Sequence, residues 1–162
     1  MNKIKSTWEM ALILPDLRSA LNVGSIFRTA EGVGVVKIYL TGYTPAPIDR
    51  FGRIDRRIAK TALGAEKLVP WEKASSFLGL LKKLKSTGYR IIAVEQDVRA
   101  LDYRKLKLRK NEKPAFVFGN EVTGLAKSLL ARCDQVIEIP MAGNKESLNV
   151  AVAAGIVLFR YF

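Results

Sequence analysis

The stretch Phe116–Leu125, FVFGNEVTGL, decides how the rest of the chain is read. A run of apolar residues closing on Gly119 describes a strand buried on both faces, ending where the backbone must approach something closely. Glu121 then enters a turn before Gly124 and a helix expected from about Thr123 to Arg132. Taken alone, an ordinary strand-to-helix turn with Glu121 favouring the helix dipole accounts for it equally well.

Outward from this unit the same alternation repeats. EMALILP (9–15) reads as a buried strand, followed by a helix from about Asn22 to Glu31 that ends at Gly32 and Gly34. VKIYLTG (36–42) is the next strand and KLVPW (67–71) a short extended piece. SSFLGLLKKLKSTG (75–88) is an amphipathic helix with Phe77, Leu80, Leu81 and Leu84 at core spacing and Gly88 as its stop. YRIIAVEQ (89–96), AFVFGN (115–120) and QVIEIP (135–140) are further strands. The pattern predicts a single α/β domain, a mostly parallel sheet with helices on both faces. Ligands in such sheets sit where loops leave the carboxyl ends of the strands. Three such segments qualify: the one carrying Asn22 to Arg28, GNEVTG (119–124) and PMAGNKES (140–147).

The last segment, SLNVAVAAGIVLFRYF (147–162), is apolar nearly all round until Arg160 and therefore expected to be buried, with Ser147 as its N-cap. Ala151, Ala153, Ala154 and Gly155 would let another backbone or a flat ligand come unusually close.

Composition narrows the function. Lys and Arg number 27 against 15 Asp and Glu, a net charge of +12 with a pI near 10.0, which points to a polyanionic partner, nucleic acid before membrane. The basic residues concentrate in Asp49–Lys60, with Arg50, Arg53, Arg56, Arg57 and Lys60, and in Arg99–Lys113, with Arg104, Lys105 and Arg109 among others. Aromatic residues beside them are few, Phe51 and Tyr103, which argues against a stacking platform for single strands as the main activity. With no histidine and one cysteine, a histidine triad, an imidazole-held zinc and a structural disulfide are excluded. Cys133 reads as a core residue. GVGVVK at Gly32 closes a helix rather than opening one, so it is no dinucleotide fingerprint, and no Walker lysine pattern occurs. MNKIKSTWEMALILP has a basic start and a short apolar run but no cleavage site before Pro15, so a cytoplasmic protein is expected.

Together LRSALNVGSIFRTAEGVGV (17–35), FVFGNEVTGL (116–125) and IPMAGNKESLNVAVAAG (139–155) resemble, in order and spacing, the three motifs of the SpoU (TrmH) family of RNA ribose 2′-O-methyltransferases, within the SPOUT superfamily. ALGAEK (62–67) is similar to the family as well. The resemblance implies a deep C-terminal trefoil knot that binds S-adenosylmethionine, a homodimer with the last helix at the interface, and transfer RNA or ribosomal RNA as substrate. No separate RNA-binding extension is expected before the first strand, which leaves RNA to the basic loops and both subunits. Motif by motif it carries over Asn22, Arg28, Glu121, Ser147 and Asn149 as catalytic positions. Val94, Gly119, Ile139, Met141 and Leu148 carry over as cofactor positions, Val94 by position alone.

A sulfonium is already an activated methyl donor, so transfer needs placement and a more nucleophilic 2′-hydroxyl, and no metal. Family accounts have the residue matching Arg28 help to deprotonate that hydroxyl. A guanidinium is a poor base, so Arg28 is expected instead to bind the adjacent phosphate and stabilise developing alkoxide charge. Glu121, Ser147 and Asn149 would orient Arg28 and the RNA. The alternatives are a catalytically silent RNA-binding or ribosome-assembly protein, which the intact set disfavours, and a base methylase, for which Cys133 is misplaced.

Overall fold

A computed structural model describes residues 8–162. The basic start of the chain, on which part of the leader reading rests, lies outside the described residues.

The elements run β1 (Ala11–Pro15), α1 (Ala20–Val33), β2 (Lys37–Thr41), α2 (Arg56–Ala62), α3 (Ala65–Leu68), β3 (Trp71–Lys73), α4 (Phe77–Ser86), β4 (Tyr89–Val94), β5 (Leu101–Asp102), β6 (Lys113–Phe118), α5 (Lys127–Leu130), β7 (Gln135–Glu138) and α6 (Val150–Arg160). A turn of 3₁₀-helix, Tyr103–Lys105, follows β5. The strands form one seven-stranded sheet in the order β3-β2-β1-β6-β4-β7-β5, and every pairing is parallel.

Continuous apolar strands fit this arrangement because successive side chains point to opposite faces and both faces are covered. Leu12, Ile38, Ile92, Phe116 and Ile137 point to one side, where α1, α2 and α6 pack. Ala11, Tyr39, Ile91, Ala115 and Val136 point to the other, where Leu80, Leu81 and Leu84 of α4 and Leu130 of α5 cover them. On the first side, α1 and α2 lie so close that a Cβ on Gly24 would sit 2.1 Å from Thr61 Oγ1 and 2.4 Å from the Ile58 carbonyl.

Four expectations need correction. The first helix starts at Ala20, capped by Ser19, and runs through Gly32 to Val33; Gly34, in the left-handed region at φ 73°, ends it. KLVPW divides: Lys67 and Leu68 finish α3, and only from Trp71 is the chain a strand. The helix expected from Thr123 to Arg132 shrinks to Lys127–Leu130. Asn120 and Gly124 close a bridge there, and the Leu125 N–H goes to the Glu95 carboxylate at 2.7 Å instead of into a helix. The cap of α6 is Asn149, whose Oδ1 accepts from the N–H groups of Ala151 and Val152, and not Ser147.

The last helix also departs from full burial. Val150, Ala154, Val157 and Leu158 are covered by the chain, whereas Val152, Phe159 and, beyond the helix, Phe162 are exposed. Its core-facing side is anchored by Tyr161, which stacks on Phe116 with ring centroids 5.6 Å apart and donates its hydroxyl proton toward the carbonyls of Tyr103 and Leu106. Among the described residues no helix is long and apolar enough to cross a membrane.

Candidate functional site

The central strands β6, β4 and β7 deliver three loops to one end of the sheet, and α1 begins beside them. Between the loops lies a cavity of about 290 Å³ lined by Val94, Gly119, Ile139, Met141 and Leu148, together with Glu121 and Ser147. That volume stands at the small end of the ~300–1,000 Å³ typical of ligand pockets. All the expected cofactor positions thus meet at one place. The lining also holds Glu95, Glu138 and Glu146, and no lysine or arginine, in a chain whose net charge is +12.

The 119–124 loop is fixed by close packing. A Cβ at Gly119 would lie 2.7 Å from Leu125 Cγ and 2.8 Å from the Gly124 carbonyl carbon, so only glycine leaves room for the loop to fold back. Gly124 sits at φ 63° directly against the Glu95 carboxylate. Glu95 accepts from the Leu125 N–H, which makes it the tie between β4 and this loop. Asn120 is buried; its amide donates to the Asp16 carbonyl at 2.7 Å and Tyr43 Oη at 2.8 Å, while its Oδ1 accepts from Val122 and Thr123.

Beside the cavity runs a polar relay across three chain segments. Asn149 Nδ2 donates to Asn22 Oδ1 at 3.1 Å, and Asn22 Nδ2 donates to Glu121 Oε1 at 3.0 Å. Glu121 further accepts from the backbone N–H groups of Arg18, at 2.9 Å, and Ser19, at 3.0 Å. Its carboxylate therefore serves the N-terminus of α1, a distant helix, rather than the helix that follows it in sequence. Burial pushes its pKa up, but the hydrogen bonds from Arg18, Ser19 and Asn22 outweigh it and hold the group below its ordinary value. An acid so committed is a positioning group, not a proton acceptor.

Arg28 is not brought into the relay. It lies six residues beyond Asn22, about 9 Å along the helix, exposed, and no hydrogen bond or ion pair joins it to any described residue. The basic residues divide as well. Arg50, Arg53, Arg56 and Arg57 line a second, wider groove beside β3, and Lys60 follows, exposed, on α2. Arg104 and Lys105 follow β5 at the opposite edge of the sheet, with Arg109 exposed beyond them. Three of these arginines are already paired with neighbouring aspartates, Arg53 with Asp49 and Arg57 with Asp55 at 2.7 Å each, and Arg104 with Asp102 at 2.5 Å. Sequence reasoning missed Glu95, Asn120 and Tyr43. For Glu95 the available signal was its place directly after an apolar strand.

Cys133 behaves as expected of a core residue: it packs with the α4 side of the sheet, and burial pushes its thiol up to about 11.

The profile of the SpoU rRNA methylase family matches residues 9–159. A Staphylococcus aureus (strain MSSA476) protein assigned by name to the TrmH family of tRNA/rRNA methyltransferases is 32% identical over 160 residues, 99% of this chain and 61% of that protein. Among solved structures, an AdoMet-bound rRNA methyltransferase from Sinorhizobium meliloti superposes with a TM-score of 0.85 at 28% identity, covering 98% of this chain and 57% of the other. The A. aeolicus TrmH/SpoU tRNA modifying enzyme gives 0.81 at 26% identity, covering 96% and 76%. The chain thus spans about three fifths of the length of the curated relatives it matches.

Proposed function

The chain belongs to the SpoU rRNA methylase family, and from that premise we propose that it transfers a methyl group from S-adenosylmethionine to a ribose 2′-hydroxyl of transfer or ribosomal RNA. The observation that carries the reading is the cavity: lined by four glutamates and no cation within a strongly basic chain, with Leu148, Ile139 and Met141 as apolar walls. Such a lining suits a flat heterocycle joined to a positive centre and repels a polyanion. Val94, Gly119, Ile139, Met141 and Leu148 would hold the cofactor. When bound, S-adenosylmethionine supplies a methyl group already activated by the sulfonium.

The chain's own residues then have positional work. Glu121 holds the start of α1 and, through Asn22, the cap of α6 at Asn149, so the two helix starts beside the cavity are tied together. Ser147 stands in the cavity wall, exposed, with its hydroxyl uncommitted to any described residue. Arg28 binds the phosphate next to the reacting ribose and stabilises the charge developing on the 2′-oxygen.

Because Arg28 stands apart from the relay of its own chain, the reading includes a homodimer. Its support is the exposed apolar face of Val152, Phe159 and Phe162. The reading also includes one methyltransferase domain over the chain and a trefoil knot. In support of the knot, the chain lays β5 at the sheet edge, returns to place β6 beside β1, and then inserts β7 between β4 and β5.

The test is methyl transfer from labelled S-adenosylmethionine to separate pools of unmodified transfer and ribosomal RNA, with Arg28→Ala as control. Label that maps to a ribose in one pool and vanishes in the control is expected. Cofactor binding without transfer to either pool, or transfer to a base, would overturn the reading.

A further inference from the structure

The groove beside β3 has a composition that its sequence neighbourhood hides. Phe51 is 67% exposed and Tyr43 is 60% exposed, and with Trp71 of β3 they line one open groove of about 1110 Å³. Phe51 stands at the tip of a tight hairpin. Ile48 and Ile54 bridge its base, Asp49 Oδ1 accepts from the N–H groups of Phe51 and Arg53 at 2.8 and 3.0 Å, and Gly52 turns the chain at φ 77°. An aromatic ring is thereby held out from the protein on a hydrogen-bonded turn.

The surroundings are cationic. Arg50, Arg53, Arg56, Arg57 and Lys73 line the groove against Asp49 and Asp55, and both carboxylates are already paired, with Arg53 and Arg57. The guanidinium carbons of Arg50 and Arg53 lie 4.7 and 5.1 Å from the Phe51 ring centre. Arg53 is tied to Asp49, whereas Arg50 and Arg56 pair with no carboxylate among the described residues. An exposed cation–π contact is weaker than the stacking of a base on an aromatic ring. Arg50 can therefore leave the ring for a phosphate as a base takes its place. The groove also adjoins the cavity, since Tyr43 Oη accepts from Asn120 Nδ2 at 2.8 Å and Asn120 lines the cavity wall.

We propose that this groove holds an unpaired nucleotide of the substrate RNA, its base stacked on Phe51 and its phosphates on Arg50 and Arg56, next to the ribose presented to the cavity. The inference rests on the RNA-modifying reading above and adds to it that the substrate is single-stranded at the target. Counting the aromatics beside the basic segments leaves out Tyr43 and Trp71, which come from outside them and join Phe51 only in the folded chain.

The experiment measures binding of a short fluorescein-labelled oligouridylate and of duplex RNA of equal length to the full chain, alongside calorimetric binding of S-adenosylmethionine. Phe51→Ala is expected to weaken the unpaired oligomer about tenfold and the duplex less than about twofold, and Phe51→Trp to restore it. Arg50→Ala with Arg56→Ala should flatten the salt dependence by about 0.7 for each phosphate that is no longer neutralised. Equal weakening of both RNAs, no weakening, or displacement of the oligomer by polyglutamate as readily as by RNA would overturn the proposal. A wild-type chain that binds no S-adenosylmethionine yet discriminates unpaired RNA through Phe51 would instead remove the methyltransferase reading and leave the groove standing.

Discussion

Glu121→Gln isolates the charge on which the site's geometry depends. The carboxylate accepts from Arg18 N, Ser19 N and Asn22 Nδ2 at 2.9 to 3.0 Å. The amide is isosteric but turns a donor toward one of these N–H groups, so at least one bond is lost and a donor faces a donor. Hydrogen bonds to a charged group are worth ~1.5–3 kcal/mol each, and partial exposure of the site lowers this. We expect a loss of about 2 kcal/mol, or ~4–8 °C in melting temperature for a domain of this size. Urea unfolding at neutral pH measures it. The pH dependence is a second check. The folded pKa of Glu121 lies below its ordinary value, so its stabilisation is present above the unfolded carboxylate pKa of ~4.3 and is lost as pH falls through the folded value. The gap between wild type and variant should therefore be full at neutral pH, shrink as pH falls below the unfolded value of ~4.3 and close once pH has passed the lower folded value. A variant within about 0.5 kcal/mol of wild type at pH 7, or a gap that persists in acid, would refute the assignment of Glu121 as an anionic helix anchor.

Gly119→Ala should cost about 1–3 kcal/mol of stability by overpacking against Leu125 and the Gly124 backbone, and cofactor affinity measured by calorimetry should fall at least about tenfold as the loop is pushed outward. Gly24→Ala replaces a close approach of α1 to Thr61 and Ile58 with a clash; a net loss of about 1–3 kcal/mol in urea unfolding is expected despite the better helix propensity of alanine. Tyr161→Phe removes a hydroxyl bonded to the carbonyls of Tyr103 and Leu106, with about 1 kcal/mol lost and faster amide exchange confined to the segment after β5. Cys133, its thiol pushed up to about 11 by burial, should be alkylated by iodoacetamide at pH 8 roughly two hundredfold more slowly than a free cysteine.

The strands were legible because parallel strands covered on both faces leave continuous apolar runs, as in Ala11–Pro15, where every residue is buried. Of the cavity's loops, those after β6 and β7 were legible by their position at strand carboxyl ends; the loop at Val94 came only from the family resemblance, because the placing of β4 between β6 and β7 is a matter of strand order. What sequence could not decide was settled by contacts between distant segments. Ser147 and Asn149 are equally good caps by residue type. Asn149 caps α6 with its Oδ1 and at the same time reaches Asn22, 127 positions away, with its amide. Glu121 sits just before a helix-like pattern yet serves α1, because the turn at Gly124 leads its own chain elsewhere. The apolar last helix suggested burial on all sides, but hydropathy does not say whether the covering surface belongs to the same chain.

On the proposed function, the distribution of charge would let one small domain hold two opposite ligands side by side. A net charge of +12 draws a polyanion toward the whole surface, yet four glutamates face the cavity. On that reading, phosphate is thus disfavoured in the place where a cationic cofactor is favoured, and would be attracted to the neighbouring groove, where Arg50 and Arg56 have no carboxylate partner among the described residues. What joins the regions is neutral: Asn120, with every hydrogen-bonding group of its side chain occupied, carries β1, β6 and the Tyr43 hydroxyl at one buried point. A neutral amide suits that position because it supplies two donors and an acceptor at once, where a carboxylate could not donate to the Asp16 carbonyl.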